Sequence, residues 1–511
     1  MQPRTRRQFL QEVGRGMVVA GVGAAVAADL GWSPTWAADD SDRIALGDWR
    51  PLVDLLQQTP LEKLQPVLVA KLQSGEVDLT RLIAAGALAN AETFGGQDYV
   101  GFHTAMAMRP ALEMARQMPA ELSALPVLKV LYQNTDQIQR SGGAAKRTLH
   151  PVASASTGNA SAQALQQAGR KPSMQEAEQI FAALANQPYE QAYNDLHEMV
   201  QDDVDVHRFV LAHRAHRLID VVGAEFAHTL LRQCVRYCVD AEQERIARNR
   251  PEPEIRQLLP RLLDEYRLNS RELGGRTADD AWIASMSETL YQSDSAQAAE
   301  AVAAALADGF SLEDIGEAIS LTANALVLRQ PDDRSRVHGA STGVHASDAV
   351  NAWRNMVRVL DSRHAAAGLI LGAYHATRKT FSSPALPTEA HRELVRTTDA
   401  NELLAEAEDA IRNNDQGRAA AAITIYGDHG YAVRPVLDLM LKYTVSEDGR
   451  LHGEKYYQTV TEEYATTRPA YRWRHIVGLA RVTASAYGFS RDDKPGFRAP
   501  GYEEACRLLK V

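Results

Sequence analysis

Histidine is the residue whose spacing in this chain could do chemistry, because a neutral imidazole binds transition metals and titrates near neutral pH. The chain has fifteen. Four of them, His338, His345, His364 and His375, fall between Arg334 and Lys379, where a Ser/Thr/Gly-rich segment leads into an apolar-periodic run with small residues at Ala365, Ala366, Ala367, Gly368 and Gly372. His345 and Asp348 share one predicted helix face, as do His364 and His375 three turns apart. Gly368 and Gly372 form a small step that lets another helix approach, and Ser341 and Thr342 are N-cap candidates for a helix starting near Val344.

A second set lies in the run from Val204 to Asp240, which carries His207, His213, His216 and His228. At 100° per residue His213, His216 and Asp220 share a face, while His207 and Glu225 share another. Glu225-Phe-Ala-His228 is half of the pair of Glu-x-x-His motifs that di-iron carboxylate bundles use. No second copy exists, Asp361-Ser-Arg-His364 being the nearest, so that architecture is not expected and His228 reads as structural. Arg208, Arg214, Arg217 and Arg232 interleave with the acids, which leaves open a buried network that serves only packing.

Three predicted helices share an apolar residue followed by histidine: Phe102-His103, Val206-His207 and Val344-His345. If they converge, three imidazoles meet in an apolar pocket suited to iron, copper or a haem edge. The candidate ligands are therefore His103, His207, His213, His216, His338 and His345, with Asp220 and Asp348 as the catalytic carboxylates that orient them. Near the C-terminus, Asp428-His429 and Leu451-His452-Gly453-Glu454-Lys455, followed by Tyr456 and Tyr457, line either a pocket or surface loops.

The elements that must position these groups are helical throughout. After Asp40 almost every apolar run has helical period, and no series of alternating strands is found. Thr59-Pro60-Leu61-Glu62 and Ser173-Met174-Gln175-Glu176 read as capping boxes. The prediction is an all-α fold, a large multi-helix bundle or irregular array around one long buried central helix, Val204 to Asp240. Its divisions are a signal at 1–37, an N-terminal helical region at 41–143, a linker or long loop at 144–172, a His-rich helical domain at 173–491 and an irregular tail at 492–511.

Composition narrows the function. Net charge is −10, and beyond the leader there is no basic run, which disfavours nucleic acid or an anionic membrane as partner. Thr5-Arg6-Arg7-Gln8-Phe9-Leu10, a Gly/Ala-rich stretch and the small-residue exit at Thr35-Trp36-Ala37 read as a removable twin-arginine signal, too short to anchor a bilayer. The protein is thus expected to be periplasmic or secreted, with no stable membrane insertion after cleavage. Cys234 and Cys238, one helical turn apart, read as buried apolar residues. Phosphate loops, dinucleotide fingerprints, nucleophile elbows, zinc-ribbon cysteines and haem-attachment motifs are all missing.

His338-Gly339, five residues, then His345-Ala346 with Ala349 resembles a motif of questin-oxidase-like proteins, and Phe102-His103-Thr-Ala-Met-Ala is similar to the first histidine motif of that family. The match covers about fifty residues, and the twin-arginine leader and the His-bearing central run depart from the family pattern. The resemblance implies an oxygen-using oxidoreductase acting on a bulky aromatic or polyketide-like substrate. The combined expectation is an exported metal-dependent oxidoreductase, with iron or copper as the metal and a small molecule as substrate. Two alternatives stand beside it: a non-catalytic helical binding or scaffold protein with structural histidines, and a metal-free lyase or isomerase using histidines as general acid and base.

Overall fold

The computed structural model describes residues 43–145, 147–155, 160–331, 341–488 and 501–511. The leader, His338 and the first part of the tail lie outside the described residues. Among the described residues every regular element is a helix, and β-pairing is limited to one isolated bridge between Arg276 and Phe310. The fold is all-α, as the helical periodicity predicts.

Seven helices, in chain order, surround the buried centre: α1 (Tyr99–Gln117), α2 (Val206–Val222), α3 (Ala227–Ala247), α4 (Leu312–Arg329), α5 (Thr342–Met356), α6 (Ser362–Ala376) and α7 (Arg450–Thr466). Four of them close a ring, α1 packing on α2, α2 on α5, α5 on α7 and α7 on α1. Helices α4 and α6 cover the outer side of α5. Each ring helix starts at a defined cap or turn. Asp98 accepts from Gly101 N at 2.7 Å, Asp205 from the backbone of His207 and Arg208, and Ser341 from Val344 N at 3.2 Å, while Gly449 precedes α7.

The expected single central helix is instead two, α2 and α3, separated at Gly223 and a 3-10 turn over Ala224–Phe226. Gly223 has φ +117°, and a Cβ there would lie 2.5 Å from the Glu225 carboxylate, so glycine is required and the chain turns. The apolar period runs through the break, which is why periodicity alone does not reveal it. Ala162–Arg170, inside the stretch read as a linker, is also helical; Ser161 caps it and it packs on Tyr189–Val200. Gly501–Leu509, inside the predicted irregular tail, is a helix, and Gln65 Nε2 donates to Gly501 O at 3.1 Å. Neither predicted capping box forms: Pro60 rather than Thr59 precedes Leu61–Gln73, and Ser173 precedes Met174–Leu184 without a side-chain bond. Leu46–Val511 forms one compact unit. Cys234 and Cys238 are buried free thiols, as expected.

The small step on α6 packs against α5 through Trp353, which is fully buried. A Cβ at Gly368 would lie 2.6 Å from the Trp353 ring, whereas one at Gly372 would lie 3.6 Å away, an ordinary contact. The two glycines are therefore expected to respond oppositely. Gly368→Ala should destabilise the fold by about 1–3 kcal/mol through overpacking, while Gly372→Ala should leave it unchanged or raise stability by up to about 1 kcal/mol through helix propensity. Urea unfolding of both variants checks this, and equal losses would refute the contact geometry.

Buried charge is paired across the ring. Lys129, on helix Leu125–Arg140, meets Glu454 of α7 at 2.6 Å and donates to Ser446 O at 2.9 Å, with both side chains at 0% exposure. Glu463 of α7 is bonded by Arg354 and, at 3.0 Å, by Asn351, both from α5. Such pairs cost desolvation and return specificity of register.

Candidate functional site

Each ring helix contributes one histidine from its first turns: His103 from α1, His207 from α2, His345 from α5 and His452 from α7. Their ring centroids form a closed loop, with His103–His207 at 4.9 Å, His207–His345 at 5.9 Å, His345–His452 at 5.5 Å and His452–His103 at 5.4 Å. The loop follows the order in which the helices pack. From this layer the helices run in the same direction, since Asp348, one turn beyond His345, accepts from Thr459, two turns beyond His452, at 2.8 Å. Four helix N-termini therefore meet at the histidines.

The tautomers are set by the outer nitrogens. His103 Nδ1 lies 2.6 Å from the Tyr99 carbonyl and so carries the proton it donates. His207 Nδ1 lies 3.2 Å from Asp205 Oδ1, and the other Asp205 oxygen accepts from the Tyr237 hydroxyl. That leaves Nε2 as the lone-pair nitrogen in both rings. The Nε2 atoms of His103, His207 and His345 are all buried without a hydrogen-bond partner. A carbonyl or carboxylate behind a ring and a bare nitrogen in front is the arrangement that orients metal-binding imidazoles.

Burial keeps the His103 and His345 rings neutral. Burial pushes His103 well below the ordinary value, helped by the positive charge of Lys455 and by His207. Burial likewise takes His345 down to about 3, with Lys455 and His207 adding to it. Lys455, one turn beyond His452, is itself lowered to about 8 by burial, against the attraction of Asp348. Burial would raise the Asp205 carboxyl, but the bonds from His207 and Tyr237 and the charge of Arg208 hold it below the usual range. Burial raises Asp348. Tyr99, Phe102 and Tyr237 box in the His103/His207 pair, with Phe102 at 4.9 Å from His103 and 5.2 Å from Tyr237. Tyr99 is 60% exposed, so the layer lies close beneath the surface on that side.

An imidazole bound through Nε2 at about 2.0–2.1 Å places its centroid about 3.2 Å from the ion, so ligands at tetrahedral angles have centroids about 5.2 Å apart. The observed spacings lie near that figure. As the side chains stand, no group of three or more His, Cys, Asp or Glu among the described residues is set to hold a metal ion. The rings would have to move to gather the donors on one ion.

The remaining candidates lie elsewhere. His213 is buried and held neutral first by burial and then by Arg214 and Arg217, so its charged neighbours are cationic. His216 stacks on Tyr193 at 4.4 Å. Asp220 is an exposed partner of Arg217 at 3.3 Å, its side chain 50% exposed. The shared face of His213, His216 and Asp220 exists, but it points away from the histidine layer. These three expected site residues are not brought to it. Asp348 adjoins the layer through Lys455 and Thr459 rather than by orienting an imidazole. His364 is pinned between Asp361 at 2.9 Å and Glu198 at 3.4 Å, and His375 sits 6.1 Å from the ring of Phe209. His452 is the ligand candidate that the choice of site residues missed, although Leu451-His452 repeats the apolar-then-histidine pair of the other three.

Histidines outside the layer make stability acid-sensitive. Burial is the leading cause that lowers His197 to about 3 and His228 and His475 to about 4. Unfolded, each titrates near 6.5. Above that pH neither state holds the proton; below it the unfolded chain gains protons the folded one refuses, so stability is lost as pH falls from about 6.5 toward about 4. His364 opposes this, since its bonds to Asp361 and Glu198 overcome burial and raise it. Its contribution is present below 6.5 and lost as pH rises through its folded value. Burial lowers His213, His216 and His375 as well, so with six groups against one, stability from urea unfolding is expected to drop between pH 7 and pH 5, by up to about 1.4 kcal/mol per pH unit for each net histidine. A flat profile across that window would contradict the burial of these rings.

Among the described residues, a cleft of about 510 Å³ lies between α4 and Trp473–Ala486, lined by Tyr291, Asn324, Tyr471 and Trp473 and by none of the four histidines of the layer. The Asn324 Oδ1 atom is buried and unpartnered. No family model matches the sequence, and no curated protein or solved structure shows significant similarity to the chain.

Proposed function

We propose that this chain is an exported metal-dependent oxidoreductase whose ion, iron or copper, is held by His103, His207, His345 and His452. The observation that carries the reading is a layer of four imidazoles, one per ring helix, in which three buried Nε2 atoms have no partner. Unpartnered polar atoms in an interior are costly unless something binds them. Four imidazole nitrogens suit iron or copper, and either ion would supply one-electron chemistry. Asp205 and the Tyr99 carbonyl would fix the rings, and Lys455 would hold a proton or a charge beside the ion. Use of oxygen and of a bulky organic substrate follows from the questin-oxidase-like resemblance, and the 510 Å³ cleft has the volume for such a molecule. His338, seven residues before His345 in sequence and outside the described residues, remains a further ligand candidate. Export rests on the twin-arginine pattern; no helix among the described residues is long and apolar enough to cross a membrane.

Elemental analysis of protein purified from the periplasm tests the reading. One equivalent of iron or copper per chain, removed by chelator with a fall in thermal stability, is expected. The scaffold alternative is favoured by the lack of a preset donor group, and it predicts metal-free protein with stability unaltered by chelator.

A further inference from the structure

The cleft of about 510 Å³ between α4 and Trp473–Ala486 has walls with a chemistry of their own. Three of the lining side chains are aromatic, and all three are held in place. The Tyr291 hydroxyl donates to the Phe381 carbonyl at 2.8 Å, and the Tyr471 hydroxyl donates to the Asp280 carbonyl at 2.6 Å. Trp473 is seated over Gly427, where a Cβ would lie 2.6 Å from the indole ring, so a side chain at that position would displace it. Rings fixed in this way offer flat faces with little rotamer freedom left to lose on binding.

Two arginines stand on these walls. Arg329 of α4 lies over the Tyr291 ring at 4.9 Å, and Arg474 lies over the Tyr471 ring at 4.8 Å. A guanidinium that rests its face on an aromatic ring still has its N–H edge for a planar, two-oxygen acceptor. Neither edge is taken. Among the described residues the one carboxylate within ion-pair distance of Arg329 is Glu288 at 4.0 Å, beyond hydrogen-bond reach, and Arg474 has no acidic partner. The two lining acids are engaged by other groups: Glu288 accepts from Gln292 at 2.8 Å and Asp428 from Arg392 at 2.7 Å. Arg329, Arg474 and Arg392 therefore stand against Glu288 and Asp428, an excess of one positive charge that favours a negative ligand. We infer that this cleft binds an aromatic carboxylate, its ring against Trp473 and the tyrosines and its carboxylate received by the free guanidinium edges. The anionic class goes beyond the use of this cleft given above, and binding needs no ion at the histidine layer, none of whose rings lines the cleft.

Titration calorimetry of the full chain with naphthoate tests this, with naphthalenemethanol as the neutral analogue and cyclohexanecarboxylate as the analogue without aromatic faces. Naphthoate is expected to saturate one site per chain below about 1 mM. The alcohol should bind about tenfold more weakly for want of charge-assisted bonds, and the saturated acid severalfold more weakly for want of stacking. Arg474→Gln changes an exposed side chain and so should leave the fold intact, while weakening naphthoate about tenfold and naphthalenemethanol not at all. Arg329→Gln should do the same. Absence of saturation by naphthoate overturns the inference, as does equal affinity for the alcohol or a naphthoate affinity unchanged in both variants. Metal analysis of the same sample separates the two readings: naphthoate binding by a metal-free chain removes the oxidoreductase reading and leaves the cleft assignment in place.

Discussion

His345→Ala is expected to release the metal while leaving the fold intact. It removes one of the four rings of the layer, and three imidazoles anchored on separate helices cannot replace its nitrogen. The loss should exceed the 10–100-fold fall in affinity that removing an orienting partner causes, roughly what Asp205→Asn should show. Metal per chain after dialysis, read beside the far-ultraviolet circular dichroism, measures both effects. His213→Ala and His216→Ala supply the contrast, since one ring is hemmed in by arginines and the other stacks on Tyr193. Retention of a full equivalent of metal by His345→Ala would exclude the four-imidazole site, and loss of metal by His216→Ala would place the ligands elsewhere.

The second large effect concerns stability. Lys129→Met should cost about 3–5 kcal/mol, because it strands Glu454 in the interior without its cation. Burial already raises the Glu454 carboxyl, and the attraction of Lys129 works against that rise, so the variant should protonate Glu454 and recover part of the loss at low pH. The double variant Lys129→Met/Glu454→Leu should return close to native stability, since a buried pair replaced as a whole is often neutral. Urea unfolding at pH 7 decides it, and a loss under 1 kcal/mol for the single variant would mean that the pair is not sequestered from water.

Much of this was legible in the chain itself, for reasons that can be stated residue by residue. Helical period identifies the fold class because each helix buries one stripe. Phe102-His103, Val206-His207 and Val344-His345 point to three of the four rings, each setting a histidine beside an apolar residue in the first turns of a helix. Leu451-His452 says the same, but Gly453-Glu454-Lys455 reads as a solvated loop unless it is known that Lys129, over three hundred residues away, neutralises Glu454. Spacing correctly places His213, His216 and Asp220 on one face and cannot say what that face meets. Gly223 ends α2 through a local backbone demand that hydrophobic period does not register.

The meeting of four helix starts would have a redox consequence for an ion held at the layer. Each N-terminus presents roughly half a positive charge, and the caps Asp98 and Asp205 offset this at two of the four. An ion at the layer is therefore more costly in its higher charge state, and the reduced form, iron(II) or copper(I), is favoured over the oxidised one. The reduction potential should lie above that of the same ion with free imidazoles, so the resting protein would stay reduced until an oxidant reaches it.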